Sequence, residues 1–334
     1  MAASTIRFDW AATVLAATFT SGVFLDGWAH THGHVDNTFL TPWHAVLYSG
    51  FLSMALLLVG RAAWGVARES AGWRAGAVWH HALPHGYGLG LVGVACWLVG
   101  GPFDAVWHNI FGFEADVEAL MSPAHAILVL GFALMAAGPL RAGLARPPGR
   151  WGQELPMILS LGFVVSILTF FTQIAHPISN LWGAPGASSH DMTELGITGM
   201  LLTAAILTAP LLLLLGRARL PDGGATVVIG LNAFAMGFLF DRGAYPRTIV
   251  VATIVSAVLV DSVRAAIRPT ASRPRAFRIF AAAVPTLPTA AYFVALAATS
   301  GIAWSTHLWA GVIVFTGAVG WLLSYLVLPG FDSA

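Results

Sequence analysis

Ten apolar runs follow one another through the 334 residues of this chain, most of them about as long as a bilayer is thick, with only short polar segments between. A helix needs about 20 mainly apolar residues to cross the hydrocarbon core, and it satisfies its own backbone polar groups within one segment. The runs are Trp10 to Leu25, Trp43 to Val59, Gly88 to Val106, Ala124 to Leu140 and Leu155 to Ile174, then Leu195 to Leu215, Ala225 to Phe240, Thr248 to Val263, Phe277 to Ala298 and Trp304 to Leu328. Only Asp241 to Arg247 separates the seventh from the eighth, so that pair reads either as two spans or as one re-entrant hairpin. With 57% hydrophobic and 9% charged residues and a mean hydropathy of +0.77, composition supports the same class. The expected fold is all-α: a polytopic membrane helix bundle of about ten transmembrane helices. Residues 1–334 then form a single membrane domain, since no low-complexity linker divides them.

Charge sets the expected topology. All 16 basic residues are arginine, and they fall in alternate loops. Arg7, Arg61, Arg68, Arg74, Arg141, Arg146, Arg150, Arg217, Arg219, Arg264, Arg268, Arg273, Arg275 and Arg278 share one side, and Arg242 and Arg247 lie opposite. The positive-inside rule then puts both termini in the cytoplasm of a multi-pass cell-membrane protein, with the loops after odd-numbered spans facing outward. The first run has a single arginine before it and continues into a polar segment, so it reads as a retained helix rather than a signal peptide.

Several chemistries drop out. A net charge of +1 leaves no basic surface for nucleic acid. Cys96 is the only cysteine, which removes internal disulfides, C-x-x-C redox pairs and c-type haem attachment. The absence of lysine removes Schiff-base cofactors.

What remains is histidine. Nine of the 12 histidines lie in the arginine-poor segments, and they repeat. Asp26-Gly-Trp-Ala-His30 followed by Thr41-Pro42-Trp43-His44 is echoed by Asp104-Ala-Val-Trp-His108 followed by Ser122-Pro123-Ala124-His125. Thr172-Gln-Ile-Ala-His176 followed by His190-Asp191 is a third, partial copy. Residues four apart share a helix face, so each Asp-x-x-x-His pair points two ligating groups at one centre. Thr-Pro and Ser-Pro supply a hydroxyl N-cap and a proline in the first helical position, which starts the returning helix with its histidine in the first turn. The unit is a helical hairpin, and its ligand set is one suited to a metal: Asp26, His30 and His44; Asp104, His108 and His125; His176 and His190. Imidazole with carboxylate suits copper, and iron or zinc as alternatives. An isolated interfacial histidine is more often hydrogen-bonded to loop backbone than bound to metal. Repetition is what favours ligation here.

These copies place the chemistry in a six-helix part, 8–215, and leave 216–334 as a four-helix scaffold part, to whose outward face Asp241 and His307 belong. His32, His34 and Asp36 read as metal entry, ligand support or a solvated loop, and Glu114, Asp116 and Glu118 first as a solvated acidic loop. His80, His81 and His85 read as a structural cytoplasmic loop. Trp28, Trp43, Trp107, Trp182 and Trp304 read as interfacial aromatic anchors, and Asp261 as solvated or paired with Arg264.

Asp26-x3-His30-x13-His44, with the segment Val35-Asp-Asn-Thr-Phe-Leu-Thr-Pro-Trp-His44, resembles the C subunit of copper membrane monooxygenases, the family of particulate methane and ammonia monooxygenases. The likeness covers about Phe24 to Gly50 and again Phe103 to Gly131. It implies a copper site of Asp26, His30 and His44 that activates dioxygen for attack on a small apolar substrate, with Asp104, His108 and His125 in the same roles. It also implies further membrane subunits and an electron donor.

Three functions compete at this point. The first is an extracytoplasmic copper-dependent oxidoreductase of monooxygenase type. The second is a metal-ion transporter or metal-handling membrane protein, and the third a non-catalytic assembly or sensory component. Partners implied are the lipid bilayer, additional membrane subunits or a second copy of the chain, and an electron donor if it is an oxidase.

Overall fold

The computed structural model describes residues 4–34, 40–69, 83–112, 120–186, 190–239 and 244–328, with the side chains at 68–69, 190–191 and 244–246 excepted. The described residues are mostly helical, as the apolar runs require. They are α1 (Ile6–Thr31), α2 (Pro42–Glu69), α3 (Gly88–Phe111), α4 (Pro123–Ala136), α5 (Gly138–Leu144) and α6 (Trp151–Phe171), then a 3-10 turn at Gln173–Ala175 and α7 (Pro177–Asn180), and finally α8 (His190–Gly216), α9 (Gly224–Leu239), α10 (Ala244–Ile267), α11 (Pro274–Thr299) and α12 (Thr306–Val327).

Nine helical segments among the described residues are long and apolar enough to cross a bilayer, with α4 and α5 together making one of them. The seventh expected span corresponds to α9, which has 16 residues. Asp241 lies outside the described residues.

The chain divides into two compact units, Met1–Ile167 and Leu168–Ala334. The division falls inside α6 rather than between 215 and 216, where histidine content alone would draw it.

In the first unit, α1 pairs with α2 and α3 with α4 as antiparallel hairpins, and glycines set how closely each pair approaches. A Cβ at Gly50 would lie 2.6 Å from the Phe19 Cα, and one at Gly22 would lie 2.5 Å from the Leu47 Cα. The second hairpin repeats this: a Cβ at Gly131 would lie 2.6 Å from Trp97 Cδ1, and one at Gly100 would lie 2.9 Å from Leu128 Cδ2. Small residues let membrane helices touch where there is no hydrophobic drive between them.

The repeat that equates Asp26 with Asp104 and His44 with His125 also equates Phe19 with Trp97 and Phe51 with Phe132. Those four rings form the core between the hairpins. Phe19–Phe132 (4.8 Å) and Phe51–Trp97 (5.0 Å) are equivalent contacts, and Phe19–Trp97 (4.7 Å) is common to both. The two hairpins are thus related by a local two-fold axis running through this aromatic cluster.

The other end of the unit is tied by charge. Asp9 is fully buried in α1 and accepts from Ser4 Oγ (2.5 Å), from the Tyr87 hydroxyl (2.7 Å) and from Arg146. Arg141 donates to the Gly86 and Leu134 carbonyls, each at 2.7 Å. Burial, reinforced by the Asp9 charge, pushes the Tyr87 phenol upward, so it stays protonated as a donor.

In the second unit, two expected interfacial anchors prove to be packing residues. Trp182 and Trp304 are 1% and 7% exposed. Trp182 donates to the Ala175 carbonyl (2.9 Å) and receives the Tyr292 hydroxyl on its own carbonyl (2.7 Å). Buried in this way, a tryptophan meets its polar need inside the protein rather than at the headgroups. Asp261 likewise does not pair with Arg264. Its carboxylate accepts the backbone N–H and hydroxyl of Thr226 (2.7 and 2.6 Å) at the first turn of α9, while Arg264 reaches Asp222 and the Leu220 carbonyl.

Candidate metal centre

Local sequence builds each triad in the same way. The outgoing helix ends with Asp and His one turn apart: Asp26 and His30 on α1, Asp104 and His108 on α3. The returning helix opens on a hydroxyl cap and a proline. Thr41 Oγ1 accepts the His44 N–H and Ser122 Oγ the His125 N–H, both at 3.2 Å. Capping fixes where the helix begins, and so fixes the first-turn histidine opposite the Asp-His pair.

Ligand atoms of Asp26, His30 and His44 all lie within 4.8 Å of one another, and those of Asp104, His108 and His125 do the same. In the first triad Asp26 Oδ1 is 3.1 Å from His44 Nε2 and 3.8 Å from His30 Nε2. In the second, Asp104 Oδ2 is 3.4 Å from His108 Nε2, and Asp104 Oδ1 is 3.6 Å from His125 Nε2. Nitrogen and oxygen ligands about 2 Å from one tetrahedral ion stand roughly 3.3 Å apart, so both triads are near a bound geometry.

Hydrogen bonding supports the fit. His108 Nδ1 is 3.3 Å from the Gly112 carbonyl, which can only accept, so Nδ1 carries the proton. In the neutral form of His108 the Nε2 lone pair faces the Asp104 carboxylate, so that two acceptors oppose each other. A cation between them resolves that opposition. Asp26 Oδ1 and Asp104 Oδ1 are buried carboxylate oxygens that accept no hydrogen bond of good geometry. His125 Nδ1 is held at 2.7 Å by Ser122 Oγ, which aims Nε2 inward. The chain turns at Gly112 with φ 86, a left-handed conformation that favours glycine and brings its carbonyl back onto His108.

The starts of α1 and α3 are joined by the Tyr87–Asp9 hydrogen bond, and the two helices run in the same direction from it, so both triads lie at the opposite end of the first unit. Tyr48, one turn beyond His44, stacks on the His44 ring (5.6 Å, 14°) and lies within electrostatic reach of both Asp26 and Asp104. Sequence reasoning missed it. Its spacing of four from His44 was the signal, but one tyrosine in an apolar helix does not stand out. The second copy has Val129 at the equivalent position, so the two triads differ here.

Other predicted residues separate from these triads. His32 stacks on Trp28 (4.7 Å) with Nδ1 at 2.8 Å from the Trp28 carbonyl, and His34 lies against Trp28 and Trp43 (5.8 and 5.9 Å). Asp36, His80, His81, Glu114, Asp116 and Glu118 lie outside the described residues, and His85 and His307 are exposed.

The third copy does not repeat the construction. His176 is 3% exposed and N-caps α7, its Nδ1 accepting the Ile178 N–H at 3.3 Å. Thr172 stands where the other copies have aspartate, and the outgoing helix ends at Phe171, so Thr172 and His176 do not share a helix face. Burial pushes the His176 imidazole down to about 3 and keeps it neutral. His190 opens α8, and its side chain lies outside the described residues.

Fold and site together define a multi-pass membrane protein carrying, among the described residues, two His/Asp groups that could hold metal ions. Comparison with protein-family models, curated proteins and solved structures found no match for this chain.

Proposed function

We propose that the chain is a membrane metalloprotein holding copper at Asp26, His30 and His44 and at Asp104, His108 and His125, and that it works as an oxidoreductase on a small apolar substrate. The observation that carries this reading is the duplicated triad itself: one carboxylate and two imidazoles brought together twice, by the same cap and the same helix register. Copper held by such a set supplies one-electron redox chemistry with a coordination position left open. Iron or zinc would use the same donors.

The protein's own groups have separate roles in this reading. Gly112 and Ser122 orient imidazoles from behind, so that the facing nitrogens are free to ligate. Tyr48 supplies a phenol near both carboxylates, placed to hold or pass a proton. Apolar substrates concentrate in lipid, and exposed Val106, Ile110, Phe111 and Met121 beside the second triad give them a greasy approach. Arginine placement favours an extracytoplasmic site in the cell membrane. Electrons must come from a separate donor, with further membrane subunits or a second copy of the chain as the expected partners.

Metal analysis with electron paramagnetic resonance on the full chain, purified without a histidine tag, tests the reading. Two coppers per chain are expected, with nitrogen hyperfine structure. His30→Ala and His108→Ala should each lose about one copper, and the double variant both. Substoichiometric metal, unchanged across all four proteins, would overturn it.

A further inference from the structure

The two triads share a construction but not a setting. On the outgoing helices the His30 side chain is 43% exposed and its counterpart His108 10%, while Asp26 is 22% exposed against 12% for Asp104. The returning histidines differ less and in the other sense, His44 at 15% and His125 at 26%. The end of α1 therefore leaves its ligands open, and the end of α3 covers them.

The cause is local. α1 stops at Thr31, one residue past His30, and turns at Gly33 with φ 82. α3 continues to Phe111, three residues past His108, and turns at Gly112 with φ 86. That later turn carries the Gly112 carbonyl to 3.3 Å from His108 Nδ1, and Ser122 Oγ holds His125 Nδ1 at 2.7 Å, so both imidazoles of the second triad are braced from behind. Among the described residues His30 has no such brace, and its 3.8 Å separation from Asp26 is the longest of the four imidazole–carboxylate distances. The flanking sequence divides in the same way. Where the first copy follows its histidine with His32-Gly33-His34, the second has Ile110-Phe111-Gly112. Exposed Gly33 and His34 suit water, whereas exposed Ile110 and Phe111 suit lipid.

From this asymmetry we infer that the triads have different duties: the Asp26 triad is a water-facing exchange centre, which loads and releases its copper through the aqueous phase and accepts a small anion at its open position, and the Asp104 triad is a closed centre that keeps its copper. The inference rests on metal ligation by both triads. A bound ion leaves one ligand at a time. An exposed imidazole that nothing fixes can rotate away and let water take its place, whereas a braced and covered one returns to the ion. Outer partners that orient a ligating histidine are usually worth about 10–100-fold in metal affinity.

The full chain in detergent, loaded with copper(II) and its metal content measured, is challenged with excess EDTA while the bound copper is followed by electron paramagnetic resonance. Release should occur in two phases of equal size, separated by about tenfold or more in rate. His108→Ala should retain only the fast phase and His30→Ala only the slow one. Azide added before the challenge should change the spectrum of one copper in the wild type, and that response should disappear together with the fast phase. It should persist in His108→Ala and be absent from His30→Ala. A full load that leaves in a single phase, a slow phase retained by His108→Ala, or an azide response that outlasts the fast phase would each overturn this inference and leave metal binding intact. No copper before the challenge would overturn the metal reading itself, and this inference with it.

Discussion

At one end of the first unit a buried charge is answered by several partners. Asp9 is the plainest case, fully buried and met by Ser4, Tyr87 and Arg146. Removing one partner of a buried ion pair leaves the other charge uncompensated, and that usually costs about 3–5 kcal/mol. Asp9→Ala should therefore destabilise the first unit by about 3 kcal/mol, read as a lower unfolding midpoint in a denaturing-detergent titration. Asp9→Asn should cost less, because the amide oxygen still accepts from Tyr87. Sequence showed Asp9 and Arg146 as residues far apart in the chain, and the arginine read as a topology signal. Nothing in their spacing reports that α1 and the segment after α5 touch.

At the level of elements, the hairpin is the repeated object, and its closeness comes from glycine. Gly50 faces the Phe19 backbone and Gly131 faces Trp97, at equivalent positions of the two copies. A side chain at Gly50 would meet main chain, which cannot rotate away, whereas at Gly131 it would meet a ring edge and the Gly93 carbonyl. Overpacking costs about 1–3 kcal/mol in most settings. Gly50→Val should fall at the upper end of that range and also weaken metal retention at the first triad, measured as thermal midpoint and metal content of the same sample. Loss of stability with full metal content would mean that the Gly50 contact does not position His44. The Asp-x-x-x-His spacing and the Thr-Pro and Ser-Pro caps were legible in advance, because they are local and obey helix geometry. Tyr48 was not, since its reach to Asp104 crosses between hairpins.

Over the whole molecule there are two compact units: one holds both triads, the other a largely apolar cavity. A ligand that binds only the folded state stabilises it by mass action, by about 2.7 kcal/mol at a hundredfold excess over the dissociation constant. Copper addition should therefore raise the unfolding temperature, and a chelator should reverse the gain. By hydrogen exchange, added protection should concentrate at residues 22–50 and 97–131, with little change across 195–328. Uniform protection, or none, would contradict metal ligation by the two triads.

By itself the sequence determined the membrane class, most of the helices and the grouping of three His/Asp residues in each triad. Hydrophobic run length, helix periodicity and N-capping are each set within a few turns of chain. Only the tertiary structure decided the rest. It placed Asp9 with Arg146, buried Trp182 and Trp304 that composition had assigned to the interface, and gave Asp261 to the first turn of α9. It buried His176 in a cavity wall as the N-cap of α7. These outcomes depend on which helix faces meet, and that is decided by glycine contacts, aromatic packing and the need of buried polar groups for partners, summed over residues distant in the chain.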